Sequence, residues 1–441
     1  MISAALVSSS LSVLFFSLFV FFLSHIYCFS IEKKNRDSGR QLLNILLILL
    51  TLFATLHFLD TIVVYEEFAV DWRDEYKFWL ISNELSRLPS ISDIFKESYS
   101  NWIYGDLPGY AFYIGTIGHI ADLYFDGNNL LLQFLGSVLW SALASVVIYK
   151  IYLLYFNKKE SFNNVLTFST LSVVFAYSFV FLRDILIVFF YALSFYIIIK
   201  KFTLIGLVKL IVIAFLTWQI RFEHGLFIFA FIGFYLYVRF KHYKLMLPIT
   251  ISVLLFVFLY IFYDMFFIAI NTIERYQDFS TVSALEVDDS IGKYIFMVPS
   301  PFKELLMIIN SQLQPFPSWF SLSNSTNIFQ VATNILPIIY SLFWFVVIFS
   351  LIKYTLFFKS YKSLSIPLKL ISLMVLLFVF VISIGSGTAR RIMCVYPFIY
   401  LIYCFFTKNI NSKKITINTT RQAIMSYVAL VSLYFIIKAF L

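Results

Sequence analysis

With 441 residues, 61% hydrophobic and only 13% charged, and a mean hydropathy of +0.87, the chain excludes a soluble globular domain and reads as a multi-span membrane protein. The net charge of +9 would suggest nucleic acid in a soluble chain; here basic loops on one membrane face account for it, and no nucleic acid is expected. Three scattered cysteines, Cys28, Cys394 and Cys404, provide neither a disulfide framework nor a zinc-binding spacing.

The first apolar run, residues 4–29, is too long for the core of a cleaved signal and no small-residue cleavage site follows it, so a retained helix is expected. A second run covers 42–64. Further runs lie at 129–152, 163–182, 185–199, 204–220, 225–238, 245–263, 328–352, 366–385, 392–407 and 422–441. A helix needs about 20 apolar residues to cross a bilayer, so the expected fold is all-α: one integral membrane domain over 1–441, a polytopic bundle of about twelve spans.

Charge orients the bundle. The loops 30–41, 150–162, 200–209, 239–244, 353–369 and 408–421 hold 21 of the 33 Lys and Arg but only three acids, Glu32, Asp37 and Glu160. Assigning them to the cytoplasm satisfies the positive-inside rule in every loop and sends both termini outside.

Two large outer segments result, 65–128 and 264–327. The first opens with YEEFAVDWRDEYKFW, where helical spacing places Asp71 and Glu75 one turn apart with Asp74 beside them. Close carboxylates above a membrane can raise each other's pKa, bind a divalent metal or take a proton from a sugar hydroxyl; they can equally be solvated loop acids. Residues 108–125 put Gly115, Gly118, His119, Asp122 and Asp126 on one helical face and Tyr110, Tyr113, Ile117, Ile120 and Tyr124 on the other. That pattern predicts an amphipathic helix lying in the interface rather than a span.

Three short outer turns carry cations that the non-cytoplasmic face normally avoids. FLRDIL holds Arg183 and Asp184, which read either as a local ion pair or as an arginine facing a cavity. IRFEHGLF holds Arg221, Glu223 and His224: a forked donor suited to phosphate, an acid, and a base for neutral pH that is as readily a structural hydrogen-bonder. GSGTARRIMCVYP holds Gly385, Gly387, Arg390 and Arg391 ahead of a helix, a pattern that suits an anion and equally suits lipid headgroups. The natural anion at this depth is the phosphate or pyrophosphate of a lipid carrier.

Taken together, D-W-x-x-x-Y at Asp71, Trp72 and Tyr76, Pro108-Gly109-Tyr110, and GNNLLLQFLG at 127–136 give a resemblance. The chain resembles the Wzy-type O-antigen or capsular repeat-unit polymerases, including EpsG-like ones, and its first third is similar to C-type glycosyltransferases. The resemblance implies an enzyme of the bacterial inner membrane with its active site facing the periplasm. There it would transfer a glycan from undecaprenyl pyrophosphate to a hydroxyl of another lipid-linked repeat, without metal or other cofactor. Arg183, Arg221, Arg390 and Arg391, with Glu223, would hold the pyrophosphate substrate, and His224, Asp71, Asp74 or Glu75 would deprotonate the acceptor. Membrane lipid, a chain-length regulator and a flippase are the implied partners. The alternatives are a C-type transferase adding one sugar from a polyprenyl-phosphate donor, and a flippase for the same lipid-linked oligosaccharide. The charge-poor interiors of the spans argue against transport.

Overall fold

The computed structural model describes residues 10–64, 73–100, 108–200, 203–240, 295, 298–313, 327–386, 389–410 and 412–440. The expected span at 245–263, most of the outer segment 264–327, and Asp71 with Trp72 lie outside them. Among the described residues all regular structure is helical. Among these residues six helices are long and apolar enough to cross a membrane: Leu11–Ser30, Lys33–Thr61, Leu130–Tyr152, Ile328–Leu356, Ile366–Ser383 and Arg390–Ile410. Three shorter apolar helices, Asp184–Ile199, Leu204–Ile220 and Phe222–Gly233, accompany them. The chain is therefore an all-α protein of membrane character.

The helices are labelled in chain order: α1 Ser10–Tyr27, α2 Arg36–Val64, α3 Arg73–Ser86, α4 Ile91–Ser100, α5 Pro108–Tyr124, α6 Leu130–Tyr152, α7 Lys158–Leu171, α8 Val173–Tyr177, α9 Asp184–Ile199, α10 Leu204–Ile220, α11 Phe222–Phe240, α12 Phe302–Leu313, α13 Ile328–Leu356, α14 Ile366–Ser386, α15 Ala389–Ile392, α16 Tyr396–Ile410 and α17 Lys413–Phe440. They fall into two compact units. The first comprises Met1–Tyr196, Gln219–Arg221 and Pro315–Phe343; the second comprises Ile197–Trp218, Phe222–Gln314 and Trp344–Leu441.

In the first unit, α6 is the central post, buried along nearly its whole length, with α1 and α2 packed on it. Local caps set its start and that of α7. The Asn129 side chain accepts the Leu131 N–H, and Asn157 with Glu160 forms a capping box. Asp126 caps α1 from the α5–α6 loop, accepting the backbone N–H groups of Leu11 and Ser12 at 3.0 and 2.9 Å. At their other ends α1 and α6 meet again, where Lys150 Nζ donates to Ser30 Oγ and Arg36 and Arg40 lie over the Phe29 ring. The basic stretches 30–41 and 150–152 therefore share one end of the unit. The start of α1, the start of α6 and the α5–α6 loop share the other.

Two expected elements take a different form. The run 163–182 is not one helix: α7 stops at Leu171, Ser172 is extended, α8 lasts five residues, and the chain then runs non-helically to Arg183. Near the end of this run a helical path would send the Phe181 N–H to the carbonyl of Tyr177, but the Glu75 carboxylate takes it at 2.7 Å. In α5 the Gly115–Gly118–His119 face is a packing seam rather than a wet face. An added Cβ at Gly115 would lie 2.6 Å from Leu85 Cβ, and His119 Nδ1 donates to the Ser86 carbonyl at 3.0 Å. Ile120, Leu123 and Tyr124 are exposed on the opposite side, whereas Tyr110, expected to lie with them, is buried.

The second unit packs α14 against α12 and α11. Ser311 and Ser383 share a buried hydroxyl contact of 2.8 Å, and Phe227 meets Phe378 edge-on. Trp344 stacks on Tyr396 with ring centroids 3.9 Å apart.

Candidate functional site

A buried charged node occupies the first unit where α2, α3, α5 and two turns converge. Glu75 enters from the first turn of α3 and is 2% exposed. One carboxylate oxygen, Oε1, accepts the Phe181 N–H, and His57 Nε2 from α2 lies 3.2 Å from the other, Oε2. The imidazole is clamped between aromatic rings, stacked on Phe134 at 5.0 Å and edge-on to Phe179. Asp74, next to Glu75, is half-buried.

Beside this pair the two arginine turns interlock. Arg183 Nη1 donates to the Ile220 carbonyl at 3.1 Å, and Arg221 Nη1 donates to Asp184 Oδ1 at 3.0 Å. Each turn thus lends its arginine to the other. The Ile220 carbonyl belongs to the last turn of α10, where helix carbonyls lack intrahelical donors, so Arg183 satisfies an acceptor the helix cannot. The sequence allowed an Arg183–Asp184 pair within one turn; instead Asp184 serves the arginine 37 positions away.

Tyr110 joins the pair to the turns. Its ring is edge-on to Phe78 and 6.3 Å from Phe181. Burial pushes its hydroxyl well above the usual tyrosine range, reinforced by Tyr113, Asp184 and Glu75 and opposed by Arg183. The hydroxyl thus stays protonated, a neutral donor among charges. Gly109 lets α5 approach the second turn: a Cβ there would come within 2.7 Å of Gln219 Cβ and 3.0 Å of its carbonyl oxygen.

One helical turn along α5, Tyr113 leaves the node and lines an apolar groove of about 640 Å³ between α1, α5 and α6. Phe15, Phe19, Ile117, Phe125 and Leu139 form its walls. The Tyr110 and Tyr113 rings are 6.2 Å apart, so polar node and groove adjoin.

The remaining sequence-predicted residues lie in the second unit. His224, 2% exposed, has its Nδ1 3.8 Å from Cys394 Sγ and its ring 5.6 Å from Phe378. Cys394 Sγ is also 3.9 Å from the Arg391 carbonyl, which ties α15 to the start of α11. Arg390, Arg391 and Glu223 are half-buried. The structure therefore gathers Asp74, Glu75, Arg183 and Arg221 in one unit and Glu223, His224, Arg390 and Arg391 in the other. His57 and Tyr110 are the members that sequence reasoning missed as chemistry. A lone histidine in an apolar run carries no motif, and Tyr110 was assigned to an apolar face. Among the described residues no group of three His, Cys, Asp or Glu could hold a metal ion. The chain matches no protein-family model, no curated protein and no solved structure.

Proposed function

We propose that the chain is a glycosyltransferase of about twelve spans, in a bacterial inner membrane, that joins repeat units carried on undecaprenyl pyrophosphate at the periplasmic face. The observation that carries this reading is the junction of a buried charged node with an apolar groove: Arg183 and Arg221 in interlocked turns, and a hydrocarbon-lined groove one helical turn away. A substrate with a phosphorylated head and an isoprenoid tail has the same polarity profile. Arg183 and Arg221 are the phosphate donors of this reading, since forked guanidinium groups suit phosphate oxygens. Arg390 and Arg391 supply further cations in the second unit. Asp74, half-buried, is more accessible to an acceptor hydroxyl than Glu75, which is 2% exposed.

The test is reconstitution of the purified protein in liposomes with a lipid-linked oligosaccharide repeat as the sole sugar source. A ladder of products is expected. Transfer of a single sugar only from a polyprenyl-monophosphate donor, or movement of the lipid across the bilayer without new glycosidic bonds, would overturn the polymerase reading.

A further inference from the structure

His57 belongs to no motif, and the helix around it is apolar, yet it is one of the most constrained polar side chains in the first unit. Its imidazole abuts Glu75 at 3.2 and 3.4 Å, and the same carboxylate accepts the Phe181 amide at 2.7 Å. That amide lies in the non-helical stretch 178–183, where no helical ladder fixes the backbone; the neighbouring Leu182 N–H bonds only across a tight turn, to the Val180 carbonyl at 2.8 Å. Glu75 is thus the bridge from α2 and α3 to the segment that delivers Arg183 two residues later. The charged and titratable groups around the bridge are Asp74 on α3, Tyr110 on α5, Arg183 and Asp184 in the first turn and Arg221 in the second.

We infer that His57 and Glu75 form a positioning pair: His57 orients the Glu75 carboxylate, the carboxylate holds the Phe181 amide, and the held backbone sets where Arg183 points. His57 is therefore a positioning residue for substrate capture and does not touch substrate. What Arg183 captures rests on the function proposed above; the positioning itself rests on the geometry. A carboxylate accepting from a backbone amide forms a strong, charge-assisted bond, and loss of its orienting partner weakens that bond specifically.

Two readouts on the full chain in detergent or liposomes test this. In His57→Ala, amide hydrogen exchange at Phe181 is expected to quicken by about tenfold, with exchange elsewhere unchanged. In the elongation assay the same variant should raise KM for the lipid-linked repeat by about tenfold and leave kcat within about twofold. His57→Gln, which keeps a side-chain N–H donor, should recover most of both effects. Unchanged exchange at Phe181, or equal quickening throughout the protein, would overturn the positioning pair. Local quickening at Phe181 with Gln rescue, in a protein that never elongates lipid-linked repeats, would uphold the pair and overturn only the polymerase reading.

Discussion

Arg221 and Asp184 neutralise each other inside the first unit, the guanidinium donating to the carboxylate at 3.0 Å with 3% of each side chain exposed. Removing one member strands the other as a buried charge, which costs about 3–5 kcal/mol. Asp184→Asn and Arg221→Gln should each lower thermal stability and membrane abundance strongly. The double variant Asp184→Asn with Arg221→Gln should lose less than the two single losses combined. Strict additivity in thermal melting of the purified variants would show that the two side chains are not coupled.

Arg183 reaches across to the second turn, where its Nη1 donates to the Ile220 carbonyl. If it holds substrate phosphate, Arg183→Ala should reduce elongation by about 100-fold while the protein remains folded and inserted. Arg183→Lys should restore part of the activity, because a point charge replaces a forked donor. Wild-type product length in Arg183→Ala would remove this residue from the site.

These two arginines show what could be read from the linear chain. Both were legible as unusual, since cations in short turns between apolar runs invite a reason. Their division of labour was not. Asp184 follows Arg183 directly and local reasoning pairs neighbours, whereas the fold exchanges partners across 37 positions. Glu75 stood out as one of a cluster of acids, but its real partners, His57 and the Phe181 amide, come from a helix and a loop with no signal of their own. The long apolar helices were recovered well, because length and hydropathy are local properties. The run 163–182 has no Gly or Pro to mark where its helix stops, and the carboxylate that takes the Phe181 amide near its end comes from Glu75, 106 positions away.

Gly115 predicts a steric effect. A side chain there would enter Leu85 and Ile94, with Leu85 Cβ only 2.6 Å from an ideal Cβ. Gly115→Val should destabilise the α3–α4–α5 cluster by about 1–3 kcal/mol, seen as a lower melting temperature. Gly233→Ala, in α11 where an added Cβ meets nothing within 4 Å, should leave the melting temperature unchanged or raise it, since Ala favours a helix over Gly by about 0.5–1 kcal/mol.

Asp126 predicts a dependence on pH. Burial raises its pKa, but the hydrogen bonds from Ser12, Leu11 and its own backbone N–H together outweigh that and hold it below the usual carboxylate value. A group whose folded pKa is depressed adds stability above its unfolded pKa and loses it as pH falls through the folded value. Docking of the α1 N-terminus should therefore be intact at neutral pH and loosen progressively below about pH 4. Amide exchange at Leu11 and Ser12 measures this, and Asp126→Asn should show the loosened state already at neutral pH.

The Asp126 tether also bears on how the protein is made. It joins residues up to 115 positions apart, and the main packing partner of α1 is α6. α1 therefore leaves the ribosome long before the helix it will rest against exists. During that interval it must wait in the bilayer without its mate, so an element made early is among the last to find its place.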